Sequence, residues 1–216
     1  MSTPISKRAY DATRRRERAE SERGETRVKV VEAATRLFIE KGYTATTVGE
    51  IAKEAGVALQ SVYKAGGSKA ELLHHVVDVA VAGDTDHVLV QDRPSFATMM
   101  AESDPVAKVR IFAGMICDIQ ERLAPIQRAS REAAAVDDTA ATYWRNAHLL
   151  RLQTFDVAMR TLPRDGLRHS YEQTTETAWA IGSTEVYTLM TTVHGLDAAQ
   201  VRSWLAETLV AALLTS

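Results

Sequence analysis

Between Gly24 and Leu73 the chain reads GETRVKVVEAATRLFIEKGYTATTVGEIAKEAGVALQSVYKAGGSKAELL, a run in which short apolar stripes at helical spacing are cut off one after another by glycine. Val30, Ala33, Ala34, Leu37 and Phe38 recur at i, i+3, i+4, i+7 and i+8, which predicts a first helix that stops at Gly42. Thr46 or Thr47 can accept hydrogen bonds from the free N–H groups of the next turn, and Val48, Ile51, Ala52 and Ala55 carry a second stripe up to Gly56. After the tight Ala55-Gly56-Val57 turn, a helix from Ala58 to Lys64 points Val62 inward and leaves Gln60, Tyr63 and Lys64 on the solvated side. Gly66 and Gly67 break it. Ser68, with Glu71 three residues later, reads as a capping box that opens a fourth helix from Lys69 to Ala82.

Two short helices joined by a glycine-containing turn, the second with hydrogen-bonding side chains on its open face, form a helix-turn-helix pattern. Amide and cationic side chains suit base edges, and hydroxyls and lysine suit phosphate. A plain helical bundle produces the same punctuation, so the residues by themselves leave a solvated helix face as the alternative.

AATRLFIEKGYTATTVGEIAKEAGV, followed by SVYK and SKAELL, resembles the DNA-binding domain of the TetR family of bacterial transcription regulators. At the other end, TAWAIGSTEVYTLMTTVHGLDAAQVRSWLAETLVAALL is similar to the last helices of ligand-binding domains common among actinobacterial members. The resemblance implies phosphate contacts from Thr47, Tyr63 and Lys69, with Lys69 at the positive end of the fourth helix, and base-edge contacts from Leu59, Gln60, Ser61 and Lys64. Glutamine pairs bidentately with adenine, and a leucine meets a thymine methyl. A simple helix cap is an equal reading of Thr47. Two positions depart from the family pattern. Ala58 stands where serine or threonine is usual, which removes the cap of the recognition helix, and Gly66 stands where an aromatic is usual, which implies a looser joint to the fourth helix.

Past the fourth helix, 84–105 reads as a connection containing Pro, Asp and Ser. Helices then follow over 106–123, from Pro125 to Asp137 and Asp138, over 139–162, 171–181 and 183–193, and from Ala198 to Leu214. Phe112, Met115, Ile116 and Ile119 share a side of one of these, and Trp144, His148, Arg151 and Phe155 line another. With Trp179, they supply the apolar walls and few polar atoms that a small-molecule pocket needs, although aromatic stripes at this spacing also build ordinary cores. Val201, Leu205 and Leu209, with Trp204 adjacent and Tyr187 on the preceding helix, form the last stripe. The resemblance implies that these residues pair with a second copy as a four-helix bundle; burial inside the monomer competes for the same stripe.

The fold class expected is all-α: an N-terminal three-helix helix-turn-helix domain over 24–83, joined through the fourth helix to a helical ligand-binding and dimerisation domain over 84–216. At 45% apolar, with five Pro and eleven Gly in 216 residues, composition agrees. Residues 1–83 carry 14 Lys+Arg against 11 Asp+Glu, whereas 84–216 carry 12 against 17, so the positive half is the one with the DNA motif. Residues 1–23, rich in arginine, read as a disordered basic arm able to track phosphates or enter a minor groove, and equally as a solvated tail or the frayed first turns of a helix.

No apolar run of membrane-spanning length and no secretory h-region is present, so a cytoplasmic protein without a membrane partner is expected. Cys117 lies in an apolar helix as a buried small hydrophobe. The chain lacks GxSxG, HExxH, a Walker loop and paired cysteines, so no enzyme, metal site or cofactor is expected. His74 and His75 point to different faces, and Asp84, Asp86 and His87 read as a solvated acidic connection. The resemblance therefore implies a homodimeric regulator of a palindromic double-stranded operator, most often a repressor released by a small-molecule effector of unknown identity. An activator on the same fold is the first alternative, and nonspecific nucleic-acid binding through the basic arm is the second.

Overall fold

In the computed structural model the described residues are 7–83 and 90–215, with side chains described from Ser21 onward. Helix α1 (Lys7–Ala45) is bent at Gly42, whose φ of 81° and ψ of 178° leave helical geometry. It is followed by α2 (Val48–Ala55), α3 (Leu59–Gly66) and α4 (Lys69–Ala82). The helix therefore already runs through residues 7–23, in line with the first turns of a helix rather than with a disordered arm; residues 1–6, and the Asp84, Asp86 and His87 connection, lie outside the described residues.

Local chemistry accounts for the boundaries. Thr47, one of the two threonines expected to cap α2, forms a capping box with Glu50, Gly56 closes that helix in the left-handed region, and Ser68 with Glu71 forms the predicted capping box on α4. Ala58 sits at the N-cap of α3 with extended backbone and no side-chain cap bond, as the departure at that position implies.

The second half comprises α5 (Pro94–Ala101), α6 (Pro105–Leu123), α7 (Gln127–Val136), α8 (Asp138–Met159), α9 (Tyr171–Ile181), the short α10 (Thr184–Thr188) and α11 (Ala198–Leu213). A π-helical turn, Leu189–Val193, extends α10. Helix α5 corrects the sequence reading, which left 84–105 as a connection. Pro94 opens it at the first helical turn and Phe96 and Met99 are buried on its inner side, but two apolar residues three apart are too short a stripe to separate from a loop. Helix α8 also stops earlier than expected, at Met159.

Two apolar cores result. One joins α1 to α4 around Phe38, Ile51, Val62 and Leu72, and it also takes in Ile126, Ala129, Ala133 and Ala140 from the second half. Packing therefore crosses the boundary placed at residue 84. The other surrounds α6, with Phe112, Ile116, Met159 and Leu209 inside. It corrects the dimer assignment: Tyr187, Val201, Leu205 and Leu209 are between 0% and 8% exposed within one monomer, so they have no apolar surface left for a partner, and only Trp204 of that set is partly open. Among the described residues no helix is long and apolar enough to cross a membrane, and no group of three His, Cys, Asp or Glu residues gathers to hold a metal ion.

Candidate nucleic-acid interface and interior donor cluster

Helix α3 is oriented by one side chain. Val62 is fully buried against the N-terminal core, and the helical period then turns Leu59, Gln60, Tyr63 and Lys64 outward, with Ser61 half-buried at the margin. Leu59 is 48% and Tyr63 52% exposed, a large apolar area for a free surface on so short a helix. The structure thus gathers five of the seven predicted DNA-binding residues on one helix.

The other two have local bonds. The Thr47 hydroxyl accepts from the Glu50 N–H at 3.2 Å and donates to Glu50 Oε2 at 2.9 Å, so its capping role is met while the residue stays exposed. Lys69 turns inward: Nζ donates to the carbonyls of Tyr43 and Thr46, each at 3.0 Å, and lies 4.1 Å from the Tyr43 ring centre. Burial lowers its pKa. Two of its three donors already hold the α1–α2 turn, leaving one for any phosphate.

Sequence reasoning missed the residues that grip this turn from the second half. Tyr43 donates to Asp137 Oδ2 at 2.8 Å, and that carboxylate also accepts from the Thr139 and Ala140 N–H groups as the cap of α8. Those bonds, the Ala140 N–H foremost and the Tyr43 hydroxyl next, hold the Asp137 carboxyl below its ordinary range, while burial first and the Asp137 bond second raise the Tyr43 phenol. From α7, Arg128 donates to the Glu40 carbonyl at 3.2 Å and Glu132 accepts from the Thr44 N–H at 3.3 Å. None of these residues carries a local signal, because each partner lies about ninety positions away. The two adjacent histidines find separate partners: His74 stacks on Tyr143 of α8 at 4.3 Å, and His75 lies 3.5 Å from Arg27.

Most predicted pocket residues do come together, but as a packed chain of rings. Phe112 meets Phe155 edge-on at 4.9 Å, the Arg151 guanidinium lies 5.2 Å from the Phe155 ring and 4.8 Å from that of Trp179, and His148 bridges Trp144 and Trp179. Met115 and Ile119 are half-buried on α6 beside the buried Phe112 and Ile116. Burial pushes Arg151 down to about 10, and burial with the neighbouring Arg151 charge lowers His148. A cavity of about 10 Å³, room for no more than a water, lies elsewhere, between Ile116, Gln120, Gly182, Tyr187, Trp204 and Leu205. Of the predicted pocket residues only Ile116 lines it, whereas Tyr187, Val201, Trp204 and Leu205, all assigned to the dimer stripe, do so. Cys117 is buried, and burial pushes its thiol up to about 11.

Residues 30–76 match the family model for bacterial regulatory proteins of the tetR family. A curated relative, the HTH-type transcriptional regulator TtgR of Pseudomonas putida, is 39% identical over 61 residues, 28% of this chain and 29% of that protein, so the alignment spans less than a third of the relative's length. Among solved structures, a TetR-family protein from Mesorhizobium loti superposes with a TM-score of 0.67 at 18% identity, over 89% of this chain and 98% of that one. A protein from Saccharomonospora viridis solved in complex with choline gives 0.66 at 15%, over 89% of this chain and 100% of that one, and a SmeT–triclosan complex gives 0.66 at 18%, over 88% and 92%. At such identities these structures speak for the fold alone. The helix-turn-helix segment is thus similar in sequence to bacterial regulatory proteins of the tetR family over residues 30–76, and the helical domain behind it is similar to solved members in fold alone.

Proposed function

We propose that the protein is a cytoplasmic, sequence-specific DNA-binding regulator of transcription that acts as a homodimer, represses by occupying a palindromic operator, and is released by a small molecule bound in its C-terminal domain. The observation that carries this reading is the outward face of α3, where Leu59, Gln60, Tyr63 and Lys64 stand exposed on a helix fixed by the buried Val62. An apolar tip, an amide, a phenol and an ammonium on one short helix suit a major groove, where Gln60 can pair with adenine, Leu59 can meet a thymine methyl and Lys64 can reach a guanine or a phosphate. A dimer would set two such helices about 34–36 Å apart, one helical turn of DNA. The choline and triclosan complexes among proteins of this fold support a ligand-responsive C-terminal domain.

The test is selection of bound duplexes from a random pool at near-physiological salt, then affinity for the winner against scrambled DNA. A palindrome enriched with discrimination of about 10³-fold or more establishes the reading. Enrichment of no motif by folded protein overturns it.

A further inference from the structure

Several hydrogen-bond donors inside the C-terminal domain share an acceptor or have none. The Gly182 carbonyl, at the break between α9 and α10, accepts from both Gln120 Nε2 at 2.8 Å and Arg151 NH1 at 3.1 Å. Two further donors have no acceptor: Trp179 Nε1, on the ring that Arg151 covers, and, in the same domain, Gln127 Nε2, whose own oxygen accepts from Thr188 of α10. Arg151 itself is held between two aromatic rings with a single carbonyl for its five N–H groups. Glu185 of α10 acts on it only through space and makes no ion pair with it. With a pKa of about 10 the guanidinium stays charged at neutral pH. A partly buried cation without a carboxylate partner is costly unless something supplies the anion.

We infer that this cluster is the effector site and that the effector is a small carboxylate with an apolar or aromatic body, its carboxylate paired to Arg151 and reached by the Trp179 N–H. The inference rests on the proposed ligand-responsive function and gives it a chemical class. A carboxylate matches the guanidinium fork in two parallel bonds, which one carbonyl cannot do. The rings of Trp144, Phe155 and Trp179 supply the apolar wall. Binding takes Arg151 off the Gly182 carbonyl and so frees the α9–α10 break. Helix α10 is short, ends in a π turn and exposes Leu189 and Val193, which makes it the wall best able to move. Its Thr188 bond to Gln127 joins it to α7, whose Arg128 and Glu132 hold the α1–α2 turn.

The experiment is a thermal-shift and calorimetric titration of the full chain with benzoate, cinnamate and octanoate, each against its neutral amide, and with benzylamine. At least one carboxylate should raise the melting temperature and bind roughly tenfold or more tighter than its amide, with benzylamine inert. Arg151→Gln should erase that preference, and Trp179→Phe, which keeps an aromatic ring and removes the N–H, should weaken the carboxylate several-fold. Carboxylates and amides binding alike, none of the three carboxylates binding, or unchanged binding by folded Arg151→Gln each overturn the inference. If the protein still selects a palindrome while no carboxylate binds, the regulator reading stands and only this inference falls; if no palindrome is selected, that reading fails on its own measurement.

Discussion

Gly42 sits where the backbone excludes side chains and the nearest neighbour, the tip of Glu132, would have to shift to admit one. Its φ of 81° with ψ of 178° is open essentially to glycine alone, and a Cβ there would overlap the Glu132 carboxylate that closes over the turn from α7. Gly42→Ala should cost about 1–3 kcal/mol from the backbone alone. That corresponds to a melting temperature lower by about 2–4 °C per kcal/mol, readable by scanning calorimetry; an unchanged value would mean that the turn relaxes freely. Gly66 differs in kind. Its backbone is ordinary, but a Cβ would overlap the buried Leu72 side chain, so the space left by the missing aromatic is filled by α4 rather than empty. On the exposed face, Gln60→Ala should flatten base preference at one position of each half-site at a cost of about 1–3 kcal/mol, measured as affinity for the selected operator against a single-base variant. An unchanged preferred sequence would remove Gln60 from base readout.

Helix ends in both halves depend on carboxylates. Glu50 is held at about 2, first by its bond from Lys41 and then by the Thr47 N–H and hydroxyl; Glu71 is lowered by the Ser68 N–H and hydroxyl, and Asp137 by the Ala140 N–H and the Tyr43 hydroxyl. Each folded pKa lies below its unfolded value, about 4 for these groups, so the stabilisation is present above that pH and is lost as pH falls toward the folded value. Urea midpoints should therefore drop between about pH 4 and pH 2, and Glu50→Gln should flatten part of that drop. Helix α3 presents the opposite case, an uncapped start. Ala58→Ser should stabilise by about 0.5–2 kcal/mol, seen as a higher melting temperature, because Ala58 already has the extended backbone of a cap. Boundaries of this sort were legible in the residues: the Ser68–Glu71 capping box, a threonine cap for α2, Gly56 and the bare Ala58 are local events within a few positions. Helix α5 was not, since a single turn of apolar residues has no period to measure.

At the scale of the molecule, the N-terminal domain is completed by the half that follows it. Ile126, Ala129, Ala133 and Ala140 lie inside its core, and Tyr43, Thr44 and the Glu40 carbonyl are bonded from α7 and the cap of α8. A fragment ending at Gly83 should accordingly unfold at a lower temperature than the same helices in the full chain, and the full chain should melt in one transition by circular dichroism and calorimetry alike. Two separate transitions, with the fragment as stable as the whole, would contradict that coupling.

The sequence by itself determined the short helices, most of their caps and the outward face of α3, because those depend on bonds and periods that close within one or two helical turns. It left open whether the stripe of Val201, Leu205 and Leu209 faces a partner or a core, where Lys69 points, and what holds the α1–α2 turn. Those outcomes depend on which surfaces meet across roughly ninety residues of chain, and an apolar stripe records only that it will be buried. Only the tertiary structure decided that α6 covers that stripe, that Tyr43 and Thr46 hold Lys69, and that Arg151 lies between two rings with no carboxylate in ion-pair contact.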